Sequence, residues 1–165
     1  MGIRLICLVL LALFSIALAA DDHLTSVRLA ERPTVNGEPT VIEVGLYVLD
    51  IEEIDDVSQR FSVDVFLVTH WQDPRLALPI AERTGKKRFF SLDEVWTPKV
   101  ICLNDRGLQP QLREGVEVDD LGNVKFQNRL MGELAANLEF KEFPFDVQLL
   151  PIDIVSYENT EDELQ

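Results

Sequence analysis

The sequence is poor in cysteine, histidine and basic residues. Its 2 Cys exclude a disulfide-dense scaffold, and its 2 His leave little for a histidine-based metal site. The 15 Lys and Arg stand against 29 Asp and Glu, a formal net charge of -14 that excludes the basic face needed for nucleic-acid binding. The motifs G-x-S-x-G, G-x-G-x-x-G and H-E-x-x-H are absent. We therefore expect no enzymatic activity, no metal, no other cofactor and no nucleic-acid partner.

The N-terminus has the pattern of an export signal. Arg4 supplies one positive charge, and an apolar run follows from Leu5 to Leu18. Ala17 and Ala19 are small residues at the positions that a signal peptidase reads, so we predict a secretory signal peptide over residues 1–19. An uncleaved membrane anchor is the alternative, but the run is short for a spanning helix.

The rest of the chain, long enough for one domain, is dominated by alternating apolar and polar residues, the pattern of half-buried β-strands. The clearest run extends from Phe61 to Trp71, and further strands are predicted at Val41–Ile51, Val124–Gln127 and Phe145–Val155. Turn signals separate these runs, which favours an all-β, antiparallel β-sandwich. Ser91–Val95 has the pattern of a capping box and predicts a short helical turn.

Phe66 departs from the alternation of the clearest strand. It is a large aromatic residue on the polar face, beside Asp64 and His70. Such a side chain can be an ordinary surface residue, or it can mark an interface or a ligand contact, because aromatic residues are enriched where surfaces meet. Both interpretations stay open on the pattern alone.

Four short motifs occur in one order along the chain. They are WQDPRL at 71–76, WTP at 96–98, LGNVKF at 121–126 and FPFDVQ at 143–148. Together they resemble the motifs of pentameric ligand-gated ion channels, the Cys-loop receptor superfamily, over about Pro39 to Tyr157. The residues that carry the first two motifs are Trp71, Asp73, Arg75, Trp96 and Pro98.

The resemblance is to the prokaryotic branch of that family. Ala136 and Leu150 stand where animal members have the two cysteines of the Cys-loop, so the disulfide is absent, and Lys99 replaces the acid that usually follows W-x-P. The implied fold is an immunoglobulin-like β-sandwich, the ligand-binding domain of these channels, with a short N-terminal helix or turn. We expect a lead-in segment at 20–38 and a ligand-binding domain at 39–165. We also expect the chain to be an N-terminal fragment, with an incomplete domain and no transmembrane domain.

The resemblance also implies ligand-binding residues. The aromatic position of loop D falls on Phe66, loop A on Leu103, loop E on Lys125 and Gln127, and loop B on Tyr157. Phe66 and Tyr157 are expected to form two walls of an aromatic box, which holds a cation against the negative faces of its rings. A packing role is the alternative for Tyr157.

Two segments correspond to the loops that couple ligand binding to the pore. One is the acidic cluster at 50–56, which resembles the loop between the first two strands. The other is the F-P-F-D loop. The implied coupling residues are Asp50, Glu52, Glu53, Phe143, Pro144, Phe145 and Asp146. A solvated turn is the alternative for the acidic cluster, which lacks the spacing of an EF-hand calcium loop.

Two classes of function remain. The first is the extracellular or periplasmic ligand-binding part of a membrane channel, in which a small-molecule agonist or protons bind between identical subunits of a homopentamer and open a transmembrane pore for monoatomic ions. The second is a secreted, soluble β-sandwich that acts as a binding or adhesion module without a pore. In the first case, crowded acidic residues predict modulation by protons or divalent cations, since like charges raise carboxyl pKa values.

Overall fold

Short β-strands make up most of the regular structure. A computed structural model describes residues 29, 31–34, 37–140, 145–160 and 162–165. The predicted signal peptide and most of the lead-in segment lie outside the described residues, as do Phe143 and Pro144. The strands are β1 (Glu43–Asp55), β2 (Arg60–Gln72), β3 (Arg88–Phe90), β4 (Val100–Cys102), β5 (Gln109–Pro110), β6 (Val116–Val118), β7 (Asn123–Ala135) and β8 (Ile154–Ser156). Two 3-10 helices span Pro74–Leu76 and Ile80–Glu82.

The strands form two antiparallel sheets. The large sheet has the order β1-β2-β7-β6-β3, with β5 also paired to β7, and the small sheet consists of β4 and β8. Cys102 of the small sheet belongs to the same buried cluster as Phe61 and Val65 of β2, and its ladder partner Ile154 packs against that cluster. The core therefore lies between two layers, and the predicted antiparallel β-sandwich is confirmed.

The alternation of β2 determines which face is buried. Phe61 and Val65 are almost fully buried and point to the small sheet, whereas His70 on the other face is exposed. A second buried cluster continues along the same inward face and includes Trp71 and Trp96, whose rings meet edge to face at a centroid distance of 6.0 Å. Each large apolar side chain buried in this way contributes roughly 1.5–3 kcal/mol to folding.

The first motif is a compact ion-paired turn. The Asp73 side chain is buried, and its carboxylate accepts hydrogen bonds from the Arg75 backbone N–H, from Nε at 2.8 Å and from Nη2 at 2.7 Å. Pro74 occupies the first position of the 3-10 helix, where its missing N–H costs nothing. The Asp73 N–H in turn donates to the carbonyl of Gly122 at 2.9 Å. The motif thus joins the end of β2 to the β6–β7 hairpin.

The acidic cluster lies mostly within β1, and its predicted placement in a loop is wrong. β1 continues to Asp55, so only residues 56–59 separate it from β2. The register shifts between Val48 and Asp50 and between Ile51 and Ile54 each place one extra residue in β1. Such bulges let a strand continue where simple alternation ends.

The strand predicted at Phe145–Val155 is wrong over most of its length, because only β8 pairs there. Phe145, Val147 and Leu149 alternate in sequence but are 82–89% exposed. Pro151 lacks the N–H that a continuous ladder requires.

The short turn predicted at Ser91–Val95 is present. The Ser91 N–H donates to the Glu94 carboxylate at 2.7 Å, and the Glu94 N–H donates to the Ser91 carbonyl at 3.1 Å. Within the described part of the chain, no helix has the length and apolar character needed to cross a membrane.

Candidate functional site

Phe66 lies on the outward face of the large sheet, where its alternation with buried residues of β2 places it. Its cross-strand neighbours are Tyr47 on β1 and Arg129 on β7. Phe66 is half-buried and Tyr47 is exposed. The outward face therefore presents two aromatic rings and a guanidinium side by side across three strands.

Arg129 is held in place by a buried carboxylate. Its Nε donates to Asp64 Oδ1 at 2.9 Å and its Nη2 donates to Asp64 Oδ2 at 2.5 Å, the two-pronged geometry of a strong arginine–carboxylate pair. This pairing lowers the pKa of the Asp64 carboxyl and raises the pKa of the Arg129 guanidinium. The pair could not be predicted from the sequence, because its members lie 65 positions apart and the register of β2 with β7 cannot be read from either strand alone.

Lys125 and Gln127 share this outward face but line a cavity that does not include Phe66. They lie opposite His70 and Val68 of β2. Their cavity has a volume of about 260 Å³, and the residues that line it are Phe89, Leu112, Arg113, Gly115, Glu117, Lys125 and Gln127. The residues assigned to loops D and E thus occupy one face without forming a common cavity.

A larger cavity of about 460 Å³ adjoins it at the end of the sheet. One polar residue from each of β1, β2, β7 and β6 crosses this end of the sheet in register, and these residues are Glu43, His70, Lys125 and Glu117. Lys87 donates to Glu117 at 2.6 Å, and this hydrogen bond lowers the pKa of the Glu117 carboxyl. Both signs of charge meet here, so the cavity offers partners to cationic and anionic groups alike.

Leu103 and Tyr157 lie at opposite ends of the small sheet. The Leu103 N–H donates to the carbonyl of Asp153 at 2.7 Å, and the Tyr157 N–H donates to the carbonyl of Lys99 at 3.4 Å. Both side chains are more than half exposed. Tyr157 lies beside Lys99, which precedes Leu103 by four residues, and four residues of extended chain span roughly 13 Å.

Tyr157 lines a third cavity, of about 240 Å³, between the two sheets. The cavity is also lined by Thr69 and Phe126 of the inward face and by Pro98 and Lys99. A hydrogen bond to the carboxylate of Glu158 raises the pKa of the Tyr157 hydroxyl. Phe66 faces away from this cavity, on the other side of the large sheet. Within one chain the two predicted walls of the aromatic box do not meet, so a box that uses both residues needs two copies of the chain.

The two predicted coupling segments are connected by glutamine side chains. Gln59, which ends the β1–β2 turn, donates to the Leu138 carbonyl at 3.2 Å and accepts the Leu138 N–H at 2.7 Å. One residue further, the Glu139 carbonyl accepts a hydrogen bond from the Gln148 amide at 2.7 Å, and the same amide donates to Asp146 at 2.5 Å. A path of hydrogen bonds therefore runs from the β1–β2 turn to the described part of the F-P-F-D loop.

The acidic residues of β1 make few side-chain contacts. Asp50, Glu52 and Glu53 are exposed on the strand. Asp55 closes the turn, since its carboxylate accepts hydrogen bonds from the backbone and hydroxyl of Ser58 and from the Val57 N–H, which lowers its pKa. Among the residues that the structure describes, no group of three or more His, Cys, Asp or Glu side chains could hold a metal ion.

The chain is similar to known proteins over most of its length. Residues 19–165 match the family described as neurotransmitter-gated ion-channel ligand binding domain. A proton-gated ion channel from Gloeobacter violaceus is 25% identical over 123 residues, which cover 74% of this chain and 34% of that protein. The gamma-aminobutyric acid receptor subunit rho-1 from Homo sapiens is 26% identical over 152 residues, which cover 89% of this chain and 31% of that protein.

The mouse gamma-aminobutyric acid receptor subunit theta is 24% identical over 151 residues, which cover 87% of this chain and 23% of that subunit. The chain therefore spans between about a quarter and a third of the length of these relatives. None of the three names denotes an enzyme.

Proposed function

Because the chain belongs to the family of neurotransmitter-gated ion-channel ligand-binding domains, we propose that it is the ligand sensor of a pentameric membrane channel and faces the extracellular or periplasmic side. A small molecule or protons bind at the interfaces between identical copies of the chain. Binding changes the contacts of the β1–β2 turn and the F-P-F-D loop with the membrane domain, and a pore for monoatomic ions opens.

The proposal rests on where the fold places the residues assigned to the site. Phe66, Lys125 and Gln127 lie on the outward face of the large sheet, whereas Leu103 and Tyr157 lie on the small sheet. The core between the sheets separates the two groups. Two such half-sites on one chain form a complete site only when the large-sheet face of one copy meets the small-sheet edge of the next, as in a closed ring of identical subunits.

The aromatic residues indicate the chemistry of the ligand. Phe66 and Tyr157 each present an accessible ring, and the net charge of -14 favours the approach of cations. A cation held between two rings gains roughly 0.5–2 kcal/mol from each favourable contact, depending on how dry the site is. We infer that the ligand is a small molecule with an ammonium group, or that protons act as the agonist instead of a small molecule.

A chimeric channel tests the proposal. This chain would replace the matching region of the Gloeobacter proton-gated channel, and currents would be recorded during steps from pH 8 to pH 4 and during application of gamma-aminobutyric acid. We expect one of these probes to open the channel. Phe66→Ala and Tyr157→Ala should each shift the half-maximal concentration upward, by about tenfold for a lost contact of about 1.4 kcal/mol.

Leu121→Ala is the matched control, because it removes an exposed apolar side chain at the turn of the β6–β7 hairpin, outside both half-sites. Its response should equal that of the unmodified chimera. A chimera that reaches the surface as a pentamer but stays closed to both probes would contradict the proposal for these ligands. A secreted, monomeric chain that binds a probe without a pore would favour the alternative, a soluble binding module.

A further inference from the structure

The segment at 83–88, here called the basic loop, carries positive charge in a chain whose formal net charge is -14. Its sequence, RTGKKR, contains four basic residues and no acid, and it ends at the first residue of β3. Arg83 and Lys86 are exposed, and the ion pairs among the described residues include neither of them. Nε of Arg83 donates to the Leu78 carbonyl at 3.1 Å. The positive charges of Arg83 and Lys86 are therefore available to a partner outside the described chain.

Two carboxylates hold the basic loop against the edge of the large sheet. The backbone N–H groups of Thr84 and Gly85 both donate to Oδ2 of Asp120 at 2.6 Å, and Asp120 is buried. Lys87 donates to Glu117 at 2.6 Å. The carboxylate of Asp120 thus fixes the backbone, and the carboxylate of Glu117 pairs with Lys87. The loop has a defined place on the sheet, which a segment exposed only to solvent does not need.

A segment of opposite charge occurs at 158–163, and it is here called the acidic segment. Its sequence, ENTEDE, contains four acids and no base. It is attached beside the start of β1, because the Glu163 carbonyl accepts hydrogen bonds from the Thr40 N–H at 2.8 Å and from Nη1 of Arg32 at 2.9 Å. Asp162 is exposed, and none of the ion pairs among the described residues includes it. The acidic segment therefore presents negative charge to solvent from a fixed position.

The two charged segments lie at the same end of the large sheet but at its opposite edges. β3 and β1 are the outer strands of the sheet, and Phe89 of β3 and Glu43 of β1 belong to one row of cross-strand partners. Four antiparallel pairings separate β1 from β3, so the two strands run in the same direction and their first residues lie at the same end. Four strand spacings amount to roughly 19 Å, which is too far for the two segments to pair within one chain.

We propose that the basic loop of one copy of the chain docks on the acidic segment of the next copy. The inference rests on the function proposed above, because it names a contact between the identical copies. Since the two segments lie at opposite edges, the contact is head to tail. Since they lie at the same end of the sheet, repeating the contact produces no displacement along the strands, as a closed ring requires. The complementary charges fix the register of each contact, although the chain as a whole is acidic.

An exchange of charges between the two segments tests the contact. Sedimentation equilibrium of the purified chain, in low salt and at up to millimolar concentration, measures the association constant. Lys86→Glu and Asp162→Lys each replace an attraction by a repulsion, and we expect each to weaken association by about fivefold. The variant that combines both substitutions restores opposite charges in every contact. Its association constant should return to within about a factor of two of the value for the unmodified chain.

The matched control combines Lys86→Glu with Glu52→Lys. Glu52 is exposed on β1, like Asp162 it is acidic, and it follows Ile51, whose partner on β2 is Val63, far along the strand from Glu43. The control has the same net charge as the exchanged variant, but its new lysine lies away from the proposed contact. Its association should stay as weak as that of Lys86→Glu alone. Circular dichroism of each variant establishes that it is folded before its association is compared.

Three results would overturn the contact: a chain that stays monomeric at millimolar concentration, equal association of the unmodified chain and both single variants, or a control that recovers as fully as the exchanged variant. The last result would show that net charge alone governs association. The measurement uses neither an agonist nor a pore, so it is independent of the channel recordings. Recovery in the exchanged variant supports the contact even if the chimeric channel stays closed, whereas an active chimera combined with equal association of all variants contradicts the contact alone.

Discussion

Asp64 is a buried carboxylate on a face that is otherwise polar and partly exposed, and Arg129 is its counter-charge. Replacing one member of such a pair leaves the other without its partner. We expect Asp64→Asn to lower the midpoint of thermal unfolding at pH 7 by several degrees. Circular dichroism during heating measures the effect, and it should also show that β-structure is retained at low temperature.

The pH dependence of this effect follows from the lowered pKa of Asp64. The ordinary Asp value is 3.8, and pairing with Arg129 moves the folded-state pKa below it. The stability that the pair contributes is therefore present above pH 3.8 and is lost as the pH falls through the folded-state pKa. The difference in the midpoint of thermal unfolding between the unmodified chain and Asp64→Asn should therefore become smaller in that acidic range.

Glu133→Gln is the control for Asp64→Asn. Its partner Arg60 lies 3.0 Å away on a neighbouring strand, but both side chains are nearly half exposed. Exposed pairs of this kind contribute little, and we expect a change within about 0.5 kcal/mol. An Asp64→Asn variant as stable as Glu133→Gln at pH 7 would show that the buried pair does not stabilise the sheet.

At the scale of elements, the β6–β7 hairpin depends on one glycine. Gly122 has φ +81°, and a Cβ there would lie 2.4 Å from the carbonyl oxygen of Asp73. The backbone of the hairpin thus touches the first motif directly. We expect Gly122→Ala to cost about 3 kcal/mol or more, measured by urea unfolding, because the strain of a positive φ and the backbone clash add.

Gly37→Ala separates these two contributions. Gly37 has φ +78°, close to that of Gly122, but nothing lies within 4 Å of an added Cβ. Its substitution should cost only the roughly 1–2 kcal/mol of the left-handed conformation. Equal losses of unfolding free energy in the two variants would mean that the close contact between the hairpin and the first motif does not add to the cost of the Gly122 substitution.

The link between the two coupling segments gives a further prediction. Gln59→Ala removes both side-chain hydrogen bonds to the backbone of Leu138, each worth about 0.5–1.5 kcal/mol. We expect faster amide hydrogen exchange at residues 136–139 and, in the chimeric channel, a smaller maximal current at unchanged half-maximal ligand concentration. Gln109→Ala, an exposed glutamine on β5, should change neither quantity. A shift in half-maximal concentration without loss of current would place Gln59 in ligand binding instead of coupling.

The elements also show what the sequence could predict. Alternation identified β2 because its apolar inward residues recur at every second position, whereas the burial of Asp64 on the outward face depends on its pairing with Arg129. Where β1 ends, and whether Phe145–Val155 forms a strand, depends on whether a partner strand lies beside each position. Alternation of apolar and polar residues carries no information about partner strands. Phe66 and the loop E positions were predicted to lie on the outward face. The cavity of about 260 Å³ beside the loop E positions was not predicted, because Phe89, Arg113 and Lys125, which line it, come from three separate segments.

At the scale of the whole molecule, a fall in pH should lower the stability of the fold. Among the residues that the structure describes, five carboxyl groups have pKa values below their ordinary values, and hydrogen bonds from neighbouring groups lower them. These groups are Asp55, Asp64, Glu117, Asp119 and Glu163. Each contributes stability above the ordinary carboxyl pKa and loses it as the pH falls through the lowered value. We expect the free energy of unfolding to decrease steadily once the pH drops below about 4. A constant unfolding midpoint from pH 6 to pH 3 would contradict this expectation.

A fall in pH should have the opposite effect on association between copies of the chain, which it should strengthen. Each chain carries a formal charge of -14, so copies that approach one another bring like charges together, and each close pair costs roughly 1 kcal/mol even in water. Crowded carboxylates gain raised pKa values, and the assembled state then binds more protons than the separated chains. Association should therefore strengthen as the pH falls from 7.5 towards 5, above the range in which folding weakens.

Analytical ultracentrifugation of the purified chain at pH 7.5 and pH 5.5, in low salt, measures this association. We expect a larger fraction of oligomer at pH 5.5, and we expect millimolar calcium at pH 7.5 to act in the same direction by neutralising the same carboxylates. Concentrated sodium chloride is the control, because screening within a few ångströms removes the repulsion and with it the difference between the two pH values. Equal oligomer fractions in low salt at both pH values, with and without calcium, would show that repulsion between acidic surfaces does not limit assembly.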